Sequence, residues 1–143
     1  MRFKKIILGI DPDHLSEEAI QSAVQLCQTN GAKLYAIFIH HICLPVVSTC
    51  IPESILEAGK QEMRLRLEKV CQEHLPDDIE WESKVFEGNS VYKTIISATK
   101  HLEGDLIVMG AHDRHSMDEV FVGSNTEKVV HHAPCSVLVI KSA

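Results

Sequence analysis

The residues best placed to do chemistry lie in one stretch, from Val108 to Glu127, where an apolar run gives way to polar residues. Gly110 closes the apolar run, and a residue without a Cβ lets another backbone or a ligand come close. Gly123 repeats that feature, and Ser124-Asn125-Thr126-Glu127 directly after it has the form of a capping box. A helix amino end with unpaired N–H groups is therefore expected beside the two glycines, and such an end attracts anions. On spacing alone, two turn glycines and an ordinary cap explain the same residues. A second chemical group is formed by His40-His41-x-Cys43 and His112-x-x-His115, whose imidazole and thiolate donors suit Zn²⁺ or Cu.

The elements that must position these residues alternate in period. Lys5–Ile10 is a short apolar strand ending in the turn Asp11-Pro12-Asp13. Leu15, Ala19, Ala23, Leu26 and Cys27 share one helix face that Asn30-Gly31 terminates. A second strand is expected over Ala32–Ile42, followed by a proline-bounded connection from Leu44 to Pro52. Ser54-Ile-Leu-Glu57 reads as a capping box that opens a long helix, with Leu56, Met63, Leu67, Val70, Cys71 and His74 inward. Ile79–Phe86 alternates like an edge strand. Gly88-Asn89 opens a third helix with Val91, Ile95, Ala98 and Leu102 inside, and Asp105–Gly110 and Ser136–Ile140 complete five strands. The alternation predicts a single α/β domain, with a parallel sheet between helices and ligands bound beyond the carboxyl ends of the strands.

Composition narrows the function classes. The chain has 143 residues, with 45% hydrophobic and 24% charged residues, which suits one soluble domain with a self-sufficient core. Its formal charge of −6 disfavours a sequence-independent grip on nucleic acid, and its nine histidines make that charge sensitive to mild acid. The apolar run after Met1 stops at Asp11, so neither an export signal nor a membrane span is expected. Cysteines 27, 43, 50, 71 and 135 contain no C-x-x-C and fit reduced thiols, hence a cytoplasmic location.

Several separated motifs agree in order and spacing: Ile7-Leu8-Gly9-Ile10-Asp11, Ser16-Glu17-x-Ala19, Gly110 with nine residues Arg114–Val122 before Gly123-Ser124, and His131-His-Ala-Pro-Cys-Ser-Val-Leu-Val139. In these the sequence resembles the universal stress protein family, whose hallmark is G-x-x-G, nine residues, then G-S or G-T. The resemblance covers nearly the whole chain, residues 1–143, as one domain. It implies a doubly wound parallel five-stranded sheet of order 3-2-1-4-5 with helices on both faces, similar to the adenine-nucleotide alpha-hydrolase folds. It also implies a homodimer paired through Val137–Ile140, a downstream protein partner and an adenine nucleotide, ATP or AMP, as ligand. The resemblance places Asp11, with Pro12, at the ribose and the main chain of His41 at the adenine. Phosphates fall to Met109 and Gly110, to the loop residues His112, Asp113 and Arg114, and to Gly123, Ser124 and Asn125.

One departure stands out. Asp113 occupies the motif's second glycine and brings a negative charge to the phosphate loop. Like charges 4 Å apart repel by roughly 4 kcal/mol at an effective dielectric of about 20. Either the phosphate site is weakened or closed, leaving a nucleotide-free dimeric scaffold, or Asp113 holds Mg²⁺ while Arg114 or Lys128 offsets its charge. Without a G-x-x-x-x-G-K-[ST] lysine, any ATP hydrolysis is expected to be slow, and no G-x-S-x-G elbow suggests another reaction. In the order 3-2-1-4-5 the two histidine groups share one sheet edge but lie roughly 10 Å apart, so adventitious metal binding is the simpler reading. His131-His132 complement the carbonyl end of the last helix.

Overall fold

The computed structural model describes residues 2–41, 52–111 and 123–141. The expected connection before Pro52, Cys43, Cys50 and the loop residues His112, Asp113, Arg114 and His115 lie outside them. Nine elements follow in strict alternation: β1 (Lys5–Gly9), α1 (Glu17–Asn30), β2 (Lys33–His41), α2 (Glu53–His74), β3 (Trp81–Gly88), α3 (Val91–Leu102), β4 (Leu106–Gly110), α4 (Ser124–His132) and β5 (Ser136–Ile140). The strands form one parallel sheet of order β3-β2-β1-β4-β5, as the sequence predicts. Strands are added to one side of β1 and then, from β4, to the other, so the topological switch point lies between the carboxyl ends of β1 and β4.

Central strands are apolar on both faces because both faces are covered. Ile6 and Leu8 of β1 point to a layer with Ala19, Ala23 and Cys27 of α1 and Leu67 and Cys71 of α2. Ile7, between them, points to the other layer, with Ile95, Ala98 and Leu102 of α3 and Val129 of α4. Each of Ile6, Ile7 and Leu8 is fully buried, which is worth about 1.5–3 kcal/mol per side chain. Among the described residues, β3 and β5 are the sheet edges, and every residue of β5 keeps some exposure.

Local signals decide the helix ends unevenly. Ser16 caps α1 by accepting the Ala19 N–H at 3.3 Å, and Gly31 ends it at φ +67°, in the left-handed region that glycine enters without strain. Both expected capping boxes are corrected. Helix α2 starts one residue before Ser54, because the Pro52 carbonyl already accepts the Ile55 and Leu56 N–H groups, and no side chain caps it. Helix α4 likewise starts at Ser124, with Gly123 in the cap position and its carbonyl accepting from Glu127. The inner face of α2 is made by Leu67 and Cys71, fully buried, with Val70 packed beside them, while Leu56 in the first turns is exposed. Strand β3 begins at Trp81 and not Ile79; Ile79 is buried in the preceding turn.

Gly104 ends the turn before β4 so close to the core that a Cβ there would lie 2.5 Å from Ile7 Cγ1. Gly104→Ala is expected to cost about 1–3 kcal/mol by overpacking, and Ile7→Ala about 2–5 kcal/mol by leaving a cavity. Urea unfolding of the double variant should show a loss smaller than the sum of the two, because each change relieves the other.

Candidate functional site

The carboxyl ends of β1, β2 and β4 open into a cleft of about 760 Å³ at the switch point. Its floor is apolar, with Ile10, Ile37, Phe38, Ile39 and Ile95, and its rim is polar. That is the usual make-up of a small-molecule site, where apolar area supplies affinity and a few polar groups fix orientation.

The wall on the β1 side is shaped by a local hydrogen bond. Asp11 Oδ1 accepts the Asp13 N–H at 3.0 Å and the Asp11 carbonyl accepts from His14 at 3.0 Å, so the carboxylate is set by its own turn. Arg66 of α2 pairs with Asp13, tying this turn to the helix over it. On the β2 side, His41 Nε2 donates to the Asn89 carbonyl at 3.0 Å, which fastens the end of β2 to the start of α3. The imidazole thus has a structural task, and His41 is also part of the cleft lining. His40, also in the wall, buries an Nδ1 that meets no hydrogen-bond partner among the described residues.

The wall on the β4 side brings the two motif glycines together. Gly123 N–H donates to the Ala111 carbonyl at 2.7 Å, and Thr126 Oγ1 donates to the Gly110 carbonyl at 3.2 Å. The first turn of α4 therefore starts directly over the end of β4, with its N–H groups toward the cleft edge. Gly110 also faces Ser16, whose Cβ would lie 3.4 Å from a Cβ at position 110, so glycine keeps this passage open.

Of the residues expected at a site, the structure brings Asp11, His41, Met109, Gly110 and Asn125 into the lining of one cleft. Pro12, Gly123 and Ser124 stand beside the cleft and do not line it, and His112, Asp113 and Arg114 fall outside the described residues. Lys128, expected from the sequence only as a charge to offset Asp113, lines it, and Thr126, Asn89 and Tyr92 line it without having been singled out for it in sequence. Their common signal was position: each lies within a few residues of a strand end or helix start at the carboxyl edge. No group of three His, Cys, Asp or Glu gathers into a metal-like cluster among the described residues.

Electrostatics set the cleft apart from the rest of the molecule. Burial pushes the Cys27 thiol up to about 11 and that of Cys71, beside Glu68, up to about 12. Burial, aided by Asp105, also raises Cys135, so the described thiols are packing groups and not poised thiolates. At the amino ends of the strands, a hydrogen bond from Lys33 holds the Glu82 carboxyl below the usual carboxylate range. That pair lies on the far side of the sheet from the cleft.

Comparison with known proteins agrees with this architecture. Residues 2–141 match the profile of the universal stress protein family. A universal stress protein of Synechocystis sp. is 29% identical over 99% of this chain and 99% of its own length. The solved structure of the universal stress protein UspA from Lactobacillus plantarum superposes with a TM-score of 0.72 at 30% identity, covering 98% of this chain and 99% of that one. A universal stress protein from Archaeoglobus fulgidus, solved in complex with dAMP, shares the fold with a TM-score of 0.63 at 20% identity, over 99% of this chain and 100% of that one. Among the described residues, no helix is long and apolar enough to cross a membrane.

The junction of β4 and α4 makes a direct prediction. Thr126→Val leaves the Gly110 carbonyl without its side-chain donor and should lower stability by about 1–2 kcal/mol in urea unfolding, whereas Thr126→Ser should retain most of it.

Proposed function

Because this chain belongs to the universal stress protein family, we propose that it is a cytoplasmic adenine-nucleotide-binding dimer, a regulatory module that takes ATP or AMP into the switch-point cleft. The observation that carries the reading is the pairing of Gly123 with Ala111 and of Thr126 with Gly110, which presents a helix start to the same cleft as Asp11. A carboxylate at one wall suits ribose hydroxyls, and N–H groups at the other suit phosphate. His41 lines the same cleft, and its main chain would make the hydrogen bonds to an adenine edge. A neighbour of the same fold crystallised with dAMP supports the ligand class. Where Mg²⁺ takes part, the Asp113 carboxylate would hold it, and the ion would supply positive charge to offset that of the phosphates.

Asp113 supports a second reading, because it places a carboxylate where the family motif has glycine. In that reading the cleft stays empty of nucleotide and the dimer acts as a scaffold for a protein partner. Native mass spectrometry of fresh protein with ATP and Mg²⁺, and with AMP, separates the two. One nucleotide per subunit supports the sensor; a dimer that takes none supports the scaffold. Asp113→Gly should tighten ATP binding, by about 10-fold or more if repulsion of roughly 1.4 kcal/mol or more is removed. Weaker binding would instead assign Asp113 to the metal.

The dimer reading rests on β5. Its Ile140 carbonyl accepts the Ala111 N–H at 2.8 Å, so Ile140 turns its backbone inward and Val137 and Val139 turn theirs outward. Partly exposed apolar side chains on a free edge favour pairing with a second copy. Val139→Pro removes an outward N–H while sparing the ladder to β4. Sedimentation should show it shifted toward monomer with its far-UV circular dichroism unchanged.

A further inference from the structure

We propose that Lys128, seated on the ring of Tyr92, makes the cleft discriminate by phosphate number, favouring adenosine di- and triphosphates over AMP. The inference rests on the nucleotide-binding reading and names the residue that sets selectivity within it.

The basic groups around the cleft are unequally committed. Arg66 is engaged by Asp13, and Lys60 lies 3.9 Å from Glu87. Lys128 is the one Lys or Arg among the described lining residues, and no carboxylate among the described residues pairs with it. Its Nζ stands 5.3 Å from the centroid of the Tyr92 ring. Tyr92 is itself held in place, with its ring 5.7 Å from that of His132. An ammonium over a half-buried aromatic face is held more weakly than one hydrogen-bonded to phosphate oxygens. Tyr92 thus acts as a seat that keeps the charge at the cleft and releases it to an anion.

Direction matters as much as charge. The first-turn N–H groups of α4 point along the helix axis toward the end of β4, where Thr126 meets Gly110. Lys128, one turn along, stands to the α3 side over Tyr92 and lines the same cleft. The helix start and the ammonium therefore offer two separate places for negative charge. A monophosphate satisfies one of them, and a longer phosphate chain reaches both. The two acidic side chains in the wall, Asp11 and Asp13, come from the β1–α1 turn and leave the α4 side the cationic one.

Calorimetric titration of AMP, ADP and ATP into the wild-type chain, Lys128→Met, Lys128→Arg, Tyr92→Leu and Tyr92→Phe tests this. Lys128→Met should lose about 10-fold in ATP affinity and about 2-fold or less for AMP, with ADP between. Lys128→Arg should restore the ATP preference. Tyr92→Leu should reproduce part of the selective loss, and Tyr92→Phe, which keeps the ring, should not. The preference for ATP should also shrink as salt rises. AMP affinity reports in each variant whether the cleft is intact. Equal losses for all three nucleotides, or none, would overturn the role of Lys128 while leaving nucleotide binding in place. A wild-type chain that binds none of them overturns the nucleotide reading, and this inference with it.

Discussion

The 2.7 Å hydrogen bond from the Gly123 N–H to the Ala111 carbonyl is the contact on which the functional end of the molecule depends. It joins two points separated by the whole 112–122 segment and sets the start of α4 on the end of β4. Two further bonds act at the same junction. Thr126 reaches back to Gly110, and the Ala111 N–H is donated to Ile140, which brings β5 to the outer side of β4. One short stretch of backbone therefore positions a helix start, a strand edge and one wall of the cleft. Gly110 keeps this junction passable, because its neighbour across the cleft, Ser16, is already at van der Waals distance from where a Cβ would be.

The cleft that results is polar in a directional sense. Its β1 wall presents carboxylates, one set by an Asx turn and one tied to Arg66 on α2. Its β4 wall presents a helix start and Lys128. The floor between them is made by the same β-branched and aromatic residues that fill the two core layers, so recognition and stability share side chains such as Ile37, Ile39 and Ile95. His41 meets both demands in one residue: its ring ties β2 to α3, and it is part of the cleft lining.

Much of the fold was legible because the parallel sheet is buried on both faces. Lys5–Ile10 and Asp105–Gly110 read as continuous apolar runs for that reason, and the helices between them read by their period. Signals failed where a local motif competed with backbone geometry. Ser54 and Ser124 both have an acidic residue three positions on, yet Pro52 and Gly123 supply the capping carbonyls and each helix starts earlier. The inner face of α2 was overread at Leu56, because period marks a helix face but not how far along it the core extends, and the buried residues of α2 are Leu67 and Cys71. Within the site, Asp11, Met109, Gly110 and Asn125 were legible from motif spacing. Thr126 and Tyr92 were not, and Lys128 was legible only as a charge near Asp113 and not as a partner of Tyr92, because these are ordinary helix residues until two helices are packed together.

By itself the sequence determined the class of the molecule: the alternation of strand and helix, the parallel sheet that follows from it, and the glycines and helix start that belong together at its carboxyl edge. These are set by properties local in the chain, namely apolar period, turn residues and the absence of a Cβ. The tertiary structure alone decided which of the edge residues meet. It drew Gly123 to Ala111, turned the ring of His41 to Asn89 and laid the ammonium of Lys128 over Tyr92. Those contacts span from 12 to 48 positions of sequence, and they exist because right-handed crossovers bring every strand end to one edge of the sheet.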